Sequence, residues 1–550
     1  MTGNREDEGM IRGNRAPRAR QAVGVVLAVF ALGAGSLRAA ERETPGTEMV
    51  VKTAAGNLRG VARPGGGAQF LGIPYARPPV GRLRWRPPVP ARHWSGVRAA
   101  TAFGSPCAQP ALGGWNRHDA ENGRENCLFL NVIAPAWPAA RPLPVMVWLH
   151  GGANLGGSAG GALYSEGALA NHGVVLVTLN YRLGIFGFMA LPALDSESPH
   201  RASGNYGLMD QILALRWVHA NIAAFGGDPG NVTVFGQSAG AMDTGMLMTS
   251  PAARGLFRKA IAESGAAFAP RVQTLAQAES MWQAAVAPLK PPPGPRGIAA
   301  LRRIPAPELI ARLGAAARQW PGIGPNVDGW ILPRAPEAVF AAGQEAPIPL
   351  LLGTTSREFG SAEPLHALRA EIERTAGASA PAALEMYGLA NNGPGASDPL
   401  YGSAAVQWAA DTMFHCPIAT QALWHSAAGL PVYEYELDHP IPGQEAQGAI
   451  HSGDLPYVFG YFPKTGNIAG KFTPVDFKLA DLIETYWTNF ARGGDPNGPG
   501  LPQWPRLEAA SQPYLQFGLD GRAAAIRQPL RAAQCGLYRE WTARGMSREP

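Results

Sequence analysis

Apolar residues in this chain gather in short unbroken runs, and the clearest three are Val145–Leu149, Val174–Leu179 and Val232–Phe235. Each is rich in valine and ends at glycine or a polar residue, the signature of a strand buried on both faces. Between the second and third runs, Leu208, Ile212, Leu215, Val218 and Ile222 recur at helical spacing, which predicts an amphipathic helix over 207–222. A helix-compatible run, Ala241 to Met248, follows the third. Strand, helix, strand, helix in alternation predicts an α/β fold: a mostly parallel sheet with helices on both faces.

The same pattern extends to both ends. Residues 50–70 alternate apolar and polar around Gly56-Asn57 and Gly65–Gly67, as an opening β-meander would. Prolines at Phe70–Pro79 and Arg84–Pro88 forbid helix and central strand there, which leaves a rigid loop over the core. Further strands are expected at Lys259–Glu263, Ile348–Leu352 and Val432–Leu437, a last edge strand at Tyr514–Phe517, and helices at 475–491 and 529–543. Lys290–Pro295 reads as a surface loop between helices. Residues 361–410, rich in Ala and Gly, are candidates for a cap over a site. No internal repeat interrupts the pattern.

Composition changes this picture little: 46% hydrophobic and 16% charged residues describe a globular chain with a large core. Net charge is +6, and the first forty residues, with six arginines and three acids, supply half of it. The remainder is too weakly basic to make nucleic acid a partner. Arg12, Arg15, Arg18 and Arg20 precede an apolar run from Ala22 to about Ala34, then small residues at Ala39-Ala40. That reads as an export signal over residues 1–40, with an uncleaved anchor as the alternative, because about 13 apolar residues fall short of the roughly 20 a membrane span needs. The stretch before Met10 adds nothing to the signal, so Met1 and Met10 both stand as starts. Residues 41–550 then read as one catalytic domain, periplasmic or secreted, with no span of its own. Four cysteines fit such an exported chain as disulfides, with three pairings open. No zinc spacing appears.

Candidate chemistry centres on the end of the third run. Gly236-Gln237-Ser238-Ala239-Gly240 places a serine at the apex of a strand-turn-helix, with small residues on both sides to let strand and helix approach. Gly-x-Ser-x-Gly alone is weak in a chain with 68 glycines, but this strand before it and helix after it make it a nucleophile signal. An activated serine needs a base, a carboxylate behind the base and N–H donors for the oxyanion. Five histidines follow the serine: His366, His415, His425, His439 and His451. His451 stands out on a Gly-bearing loop after a strand. Glu358 lies at a strand end between serine and histidine, with Asp328 and Asp454 as rival acids.

These residues, taken in order, resemble the type B carboxylesterases, the family that includes the cholinesterases. The resemblance runs from about residue 50 to 543 through Glu125–Asn131, His150–Ala153, Asn180–Gly184, Gly204–Leu208, Gly236–Gly240, Gly353–Glu358, His451–Phe459 and Gly494–Asn497. It implies an α/β-hydrolase fold with large helical insertions forming a cap over the site. It further implies Ser238 as nucleophile, Glu358 as acid, His451 as base, and oxyanion donors at the N–H groups of Gly152, Ala153 and Ala239. Disulfides Cys107–Cys127 and Cys416–Cys535, and salt bridges Glu125–Arg182 and Asp411–Arg531, are implied as well. The reaction expected is carboxylic ester hydrolysis of a small-molecule substrate through an acyl-serine, without metal or organic cofactor.

Two departures bear on substrate. Asn154 follows the oxyanion stretch where the family often has an aromatic, which places an amide in an apolar wall. Gln237 stands where cholinesterases carry glutamate, which removes a negative charge beside the serine and favours neutral esters over choline esters. Trp115 lies on a shortened version of the loop that holds the cholinesterases' cation-binding tryptophan, and so is a candidate pocket residue. Competing readings are a non-catalytic adhesion or recognition protein on the same fold and, among enzymes, a lipase, a polyester or toxin esterase, or an amidase. Acyl and alcohol specificity and oligomeric state are not legible.

Overall fold

The computed structural model describes residues 49–63, 66–314, 323–359, 364–518 and 520–546, and the export signal read in residues 1–40 lies outside them. The apolar runs become strands of one eleven-stranded sheet. In chain order these are β1 (Val61–Ala62), β2 (Ala68–Pro74), β3 (Phe129–Ala134), β4 (Leu143–Leu149), β5 (Val175–Leu179), β6 (Gly227–Gln237), β7 (Lys259–Glu263), β8 (Leu350–Thr355), β9 (Val432–Leu437), β10 (Tyr514–Phe517) and β11 (Ala523–Ile526). Across the sheet they lie in the order β11, β10, β9, β8, β7, β6, β4, β5, β3, β2, β1. Every pairing from β10 through to β5 is parallel, and the outer pairings are antiparallel. The central strands are covered on both faces, so alternate residues of one strand enter two different cores. Val145, Val147 and Leu149 of β4 pack on one side with Val232 and Val234 of β6. Met146 and Trp148 pack on the other with Phe235, Ile261 and Leu351. That two-sided burial is why these strands read as unbroken apolar runs.

Three expectations are corrected here. The helix expected to be amphipathic is Tyr206–Asn221, but twelve of its sixteen residues are buried. Its polar positions Asp210 and Gln211 are fully inside, each with a polar partner, so they do not mark a wet face. Tyr514–Phe517 is not the edge strand, because β11 pairs beyond it through a tight turn at Gly521. An Ala-rich strand carries too little β-propensity to announce itself. Glu125 and Arg182 do not pair with each other: Arg84 holds Glu125 at 2.6 Å and Arg182 holds Asp210 at 2.7 Å. The helix after β5 passes over the strand end and offers Asp210 to both the backbone N–H and the guanidinium of Arg182, while Glu125 faces the proline-rich loop.

Other expectations hold. Asp411 and Arg531 pair at 2.5 Å, and Cys107–Cys127 and Cys416–Cys535 are both bonded. Lys290–Pro295 does join two helices, Leu275–Val286 and Pro295–Arg303. Among the described residues no helix is long and apolar enough to cross a membrane. The parallel strands all point their C-terminal ends the same way, and the ends of β4, β6, β8 and β9 carry the sequence-predicted nucleophile, acid, base and oxyanion residues.

The Arg182–Asp210 pair is buried on both sides, with side chains 2% and 0% exposed. Asp210→Ala strands a buried guanidinium, and the expected cost is about 3–5 kcal/mol. A urea titration reads it as a lower midpoint at unchanged slope; a loss under about 1 kcal/mol would assign the pair no such role.

Candidate active site

β6 ends in a turn that the chain can make only with small neighbours. A Cβ on Gly236 would lie 2.5 Å from the carbonyl carbon of Gly240, and one on Gly240 would lie 2.0 Å from the carbonyl oxygen of Leu149. Between them Ser238 adopts φ 58° and ψ −125°, outside the regions open to ordinary side chains. Its N–H donates to the Glu263 carbonyl of β7 at 2.8 Å, and its carbonyl accepts from Ala241 and Met242 in the helix Ala239–Thr249. Strand, neighbouring strand and helix together hold the strained residue.

The loop after β4 turns through three residues of positive φ: Gly152 at 106°, Ala153 at 57° and Asn154 at 57°. Among the described residues, no protein acceptor takes the N–H groups of Gly152, Ala153 or Ala239. His150, at the start of this loop, is no base. Burial pulls its imidazole down to about 4, and the neutral ring stacks on Tyr181, whose hydroxyl donates to the His150 carbonyl at 2.7 Å.

The loop after β8 carries Glu358, 1% exposed. Its Oε1 accepts from the Thr355 N–H at 2.9 Å, and its Oε2 lies 2.5 Å from His451 Nδ1. A carboxylate oxygen only accepts, so Nδ1 carries the ring proton and Nε2 presents a lone pair. The Gln237 side-chain nitrogen lies 3.1 Å from that Nε2 and donates to it. Backbone bonds close the arrangement: the His451 N–H donates to the Glu358 carbonyl, and the Arg357 N–H to that of Ala449. The rings of Phe359 and Phe414 stand 4.3 and 4.9 Å from the imidazole.

The rival acids have other partners. Asp328 accepts the N–H groups of Trp330 and Leu332 in its own turn. Asp454 is buried against the Tyr435 hydroxyl, and burial together with the nearby Glu358 pushes its carboxyl up to about 7. Of the other histidines after the serine, His415, His425 and His439 bind Asp411, Glu345 and Asp476, and His366 is exposed.

Ser238, His451, Gln237, Gly152, Ala153, Ala239 and Trp115 line one cavity of about 340 Å³. Leu112, Met242, Phe359 and Phe414 make its apolar wall, with Ser452 and Asn467 at the side. Among the described residues no Asp, Glu, Lys or Arg lines it. Trp115 is 48% exposed at the edge of this cavity, next to a short helix, Arg117–Asn122, in the loop between the first two cysteines. Asn154 is not in this wall. It lines a smaller adjoining cavity, and its amide binds Asp243. The sequence reading did not find Phe359, Phe414 or Met242. Phe359 follows Glu358 directly, but nothing in the pattern told which way its ring points.

Residues 47–538 match the Carboxylesterase family. Fumonisin B1 esterase of Sphingopyxis macrogoltabida is 36% identical over 89% of this chain and 90% of its own length. Human cocaine esterase is 35% identical over 86% of each. A solved thermophilic PNB esterase superposes with a TM-score of 0.78 at 35% identity, covering 89% of this chain and all of that one. With the fold, the whole-length match and the sheet in agreement, the chain belongs to the carboxylesterase family and is an α/β-hydrolase that cleaves carboxylic esters.

Proposed function

We propose that residues 41–550 form a single catalytic domain that hydrolyses small neutral esters through an acyl-serine at Ser238. The observation that carries this reading is His451: held through Nδ1 by Glu358, it presents Nε2 to the cavity that Ser238 also lines. Once the Gln237 amide releases Nε2, His451 takes the proton from the Ser238 hydroxyl as its oxygen attacks the ester carbonyl. The N–H groups of Gly152, Ala153 and Ala239 receive the oxyanion, each such donor typically worth about 3–4 kcal/mol in the transition state. The imidazolium, stabilised by Glu358, then protonates the leaving alcohol. Water repeats the cycle on the acyl-enzyme and frees the acid. Two disulfides support an exported location, where oxidised cysteines persist.

Substrate charge follows from the lining. With Gln237 beside the serine and no carboxylate among the described residues that line the cavity, a cationic ester gains no charge partner from them. Opposite charges about 4 Å apart at an effective dielectric near 20 interact by roughly 4 kcal/mol, so the missing carboxylate outweighs a cation–π contact with Trp115 of about 0.5–2 kcal/mol. The named relatives act on fumonisin B1 and cocaine, which supports a tolerance for large esters at the open side of the cavity.

Ser238→Ala abolishes ester turnover and leaves thermal unfolding unchanged, since the hydroxyl fills no packed space. Activity within tenfold of the parent would remove Ser238 from the mechanism.

Glu358→Gln lowers kcat by about 10⁴, the loss typical when the orienting carboxylate of a triad is neutralised, whereas Asp454→Asn, which alters a carboxyl already inclined to hold its proton, stays within about tenfold. Steady-state kinetics of the two variants decides between the acids; equal damage would reassign the role to Asp454.

Neutral short-chain esters show higher kcat/KM than choline esters of the same acyl group, and Gln237→Glu narrows the gap. The narrowing weakens as salt screens the new charge. A parent enzyme that favours the choline ester would overturn the neutral-ester reading.

A further inference from the structure

The three N–H groups proposed to hold the oxyanion come from two separate stretches of chain. Gly152 and Ala153 lie in the loop after β4, and Ala239 opens the helix that follows Ser238. Such a hole works only while its two parts keep their spacing, because the donors must already sit where the charge will develop. The loop does not set that spacing by itself: Ala153 and Asn154 both hold a left-handed φ of 57°, which side chains rarely adopt unless the surroundings impose it.

Asn154 ties this loop to its surroundings. Its side chain points away from the cavity of Ser238 and is 5% exposed. Its Nδ2 donates to Asp243 Oδ1 at 3.0 Å, while its backbone carbonyl accepts from the Gly184 N–H at 2.7 Å. Asp243 is fully buried, on the helix Ala239–Thr249, one turn beyond Ala239. Its Oδ2 accepts from Gln211 Nε2 at 2.5 Å, on the helix Tyr206–Asn221. Both hydrogen-bond partners of this carboxylate among the described residues are neutral amides, and burial pushes it up to about 7. A buried carboxyl held only by amides is a costly core group. Its place joins the two parts of the hole.

We infer that Asp243 and Asn154 form a strut across the oxyanion hole, one hydrogen bond that fixes the Gly152 and Ala153 donors against that of Ala239. Asp243 is a positioning residue and touches no substrate. The inference rests on the roles proposed above for Ser238 and the three N–H groups.

The test uses Asp243→Ala, Asn154→Ala, their double variant and Asp243→Asn, with a p-nitrophenyl ester and with a fluorophosphonate that labels the active serine. Either alanine variant lowers kcat about 10–100-fold with KM within about threefold, because the donors act chiefly on the transition state. The double variant is no slower than the slower single, as expected of two residues sharing one bond. Asp243→Asn stays within about threefold of the parent, since its oxygen still accepts from Asn154 and the unpartnered Gln211 Oε1 can turn to accept its new N–H. Asn154→Ala leaves the helix core untouched, so it reports even if Asp243→Ala fails to fold. Parent kcat in Asn154→Ala, additive losses in the double variant, or Asp243→Asn as slow as Asp243→Ala would each overturn the strut. Phosphonate on Ser238 with undiminished turnover in the alanine variants sinks this inference alone. Parent enzyme that takes no label on Ser238 removes the nucleophile assignment and the strut with it.

Discussion

Everything at this site depends on one close approach: the carbonyl of Leu149 at the end of β4 against the α-carbon of Gly240 at the start of a helix. No side chain fits between them. That contact brings the loop after β4 and the first turn of the helix after β6 to the same point, with Ser238 caught in the bend. The strain in Ser238 is then a consequence of packing. Its backbone is bonded to β7 on one side and to the helix on the other, so it cannot relax without breaking both.

Around that point the parallel sheet does the rest. All its central strands deliver their C-terminal ends to one edge, which is where open α/β sheets place ligands. β8 ends just before Glu358, and the loop after β9 carries His451. Two residues far apart in the chain therefore meet at 2.5 Å. Beneath them lie carboxyls with little to neutralise them. Glu263 is held above its usual range by burial and by Asp454, and accepts the Trp487 indole N–H. Asp454 is raised in turn by burial and by Glu358.

The cavity itself is made differently. Its apolar wall comes from residues with no common element: Leu112 before a short helix, Met242 inside one, Phe359 after Glu358, and Phe414 in the helical turn just before the helix Cys416–Ala427. Such a wall leaves no periodic trace in the chain. Asn154 shows the converse. By position it belongs in the pocket, yet its amide finds a buried carboxylate on the far side and turns inward.

Local chemistry was therefore enough for the parts of this protein whose identity is set within a few residues. The valine-rich runs announce strands buried on both faces, and Gly236–Gly240 announces the bend, because a sharp turn between strand and helix tolerates few alternatives there. The ordered motifs extend that reading to Glu358, His451 and both disulfides. Partner choice across long distances was not legible. Asp210 rather than Glu125 takes Arg182, since only the packed helix brings its carboxylate to the strand end. The buried polar face of Tyr206–Asn221 and the pairing of β11 beyond β10 follow the same logic. Which way Phe359, Phe414 and Asn154 point was likewise decided by tertiary structure. A side chain's type is written in the sequence, but its neighbours are selected by the packing of elements hundreds of residues apart.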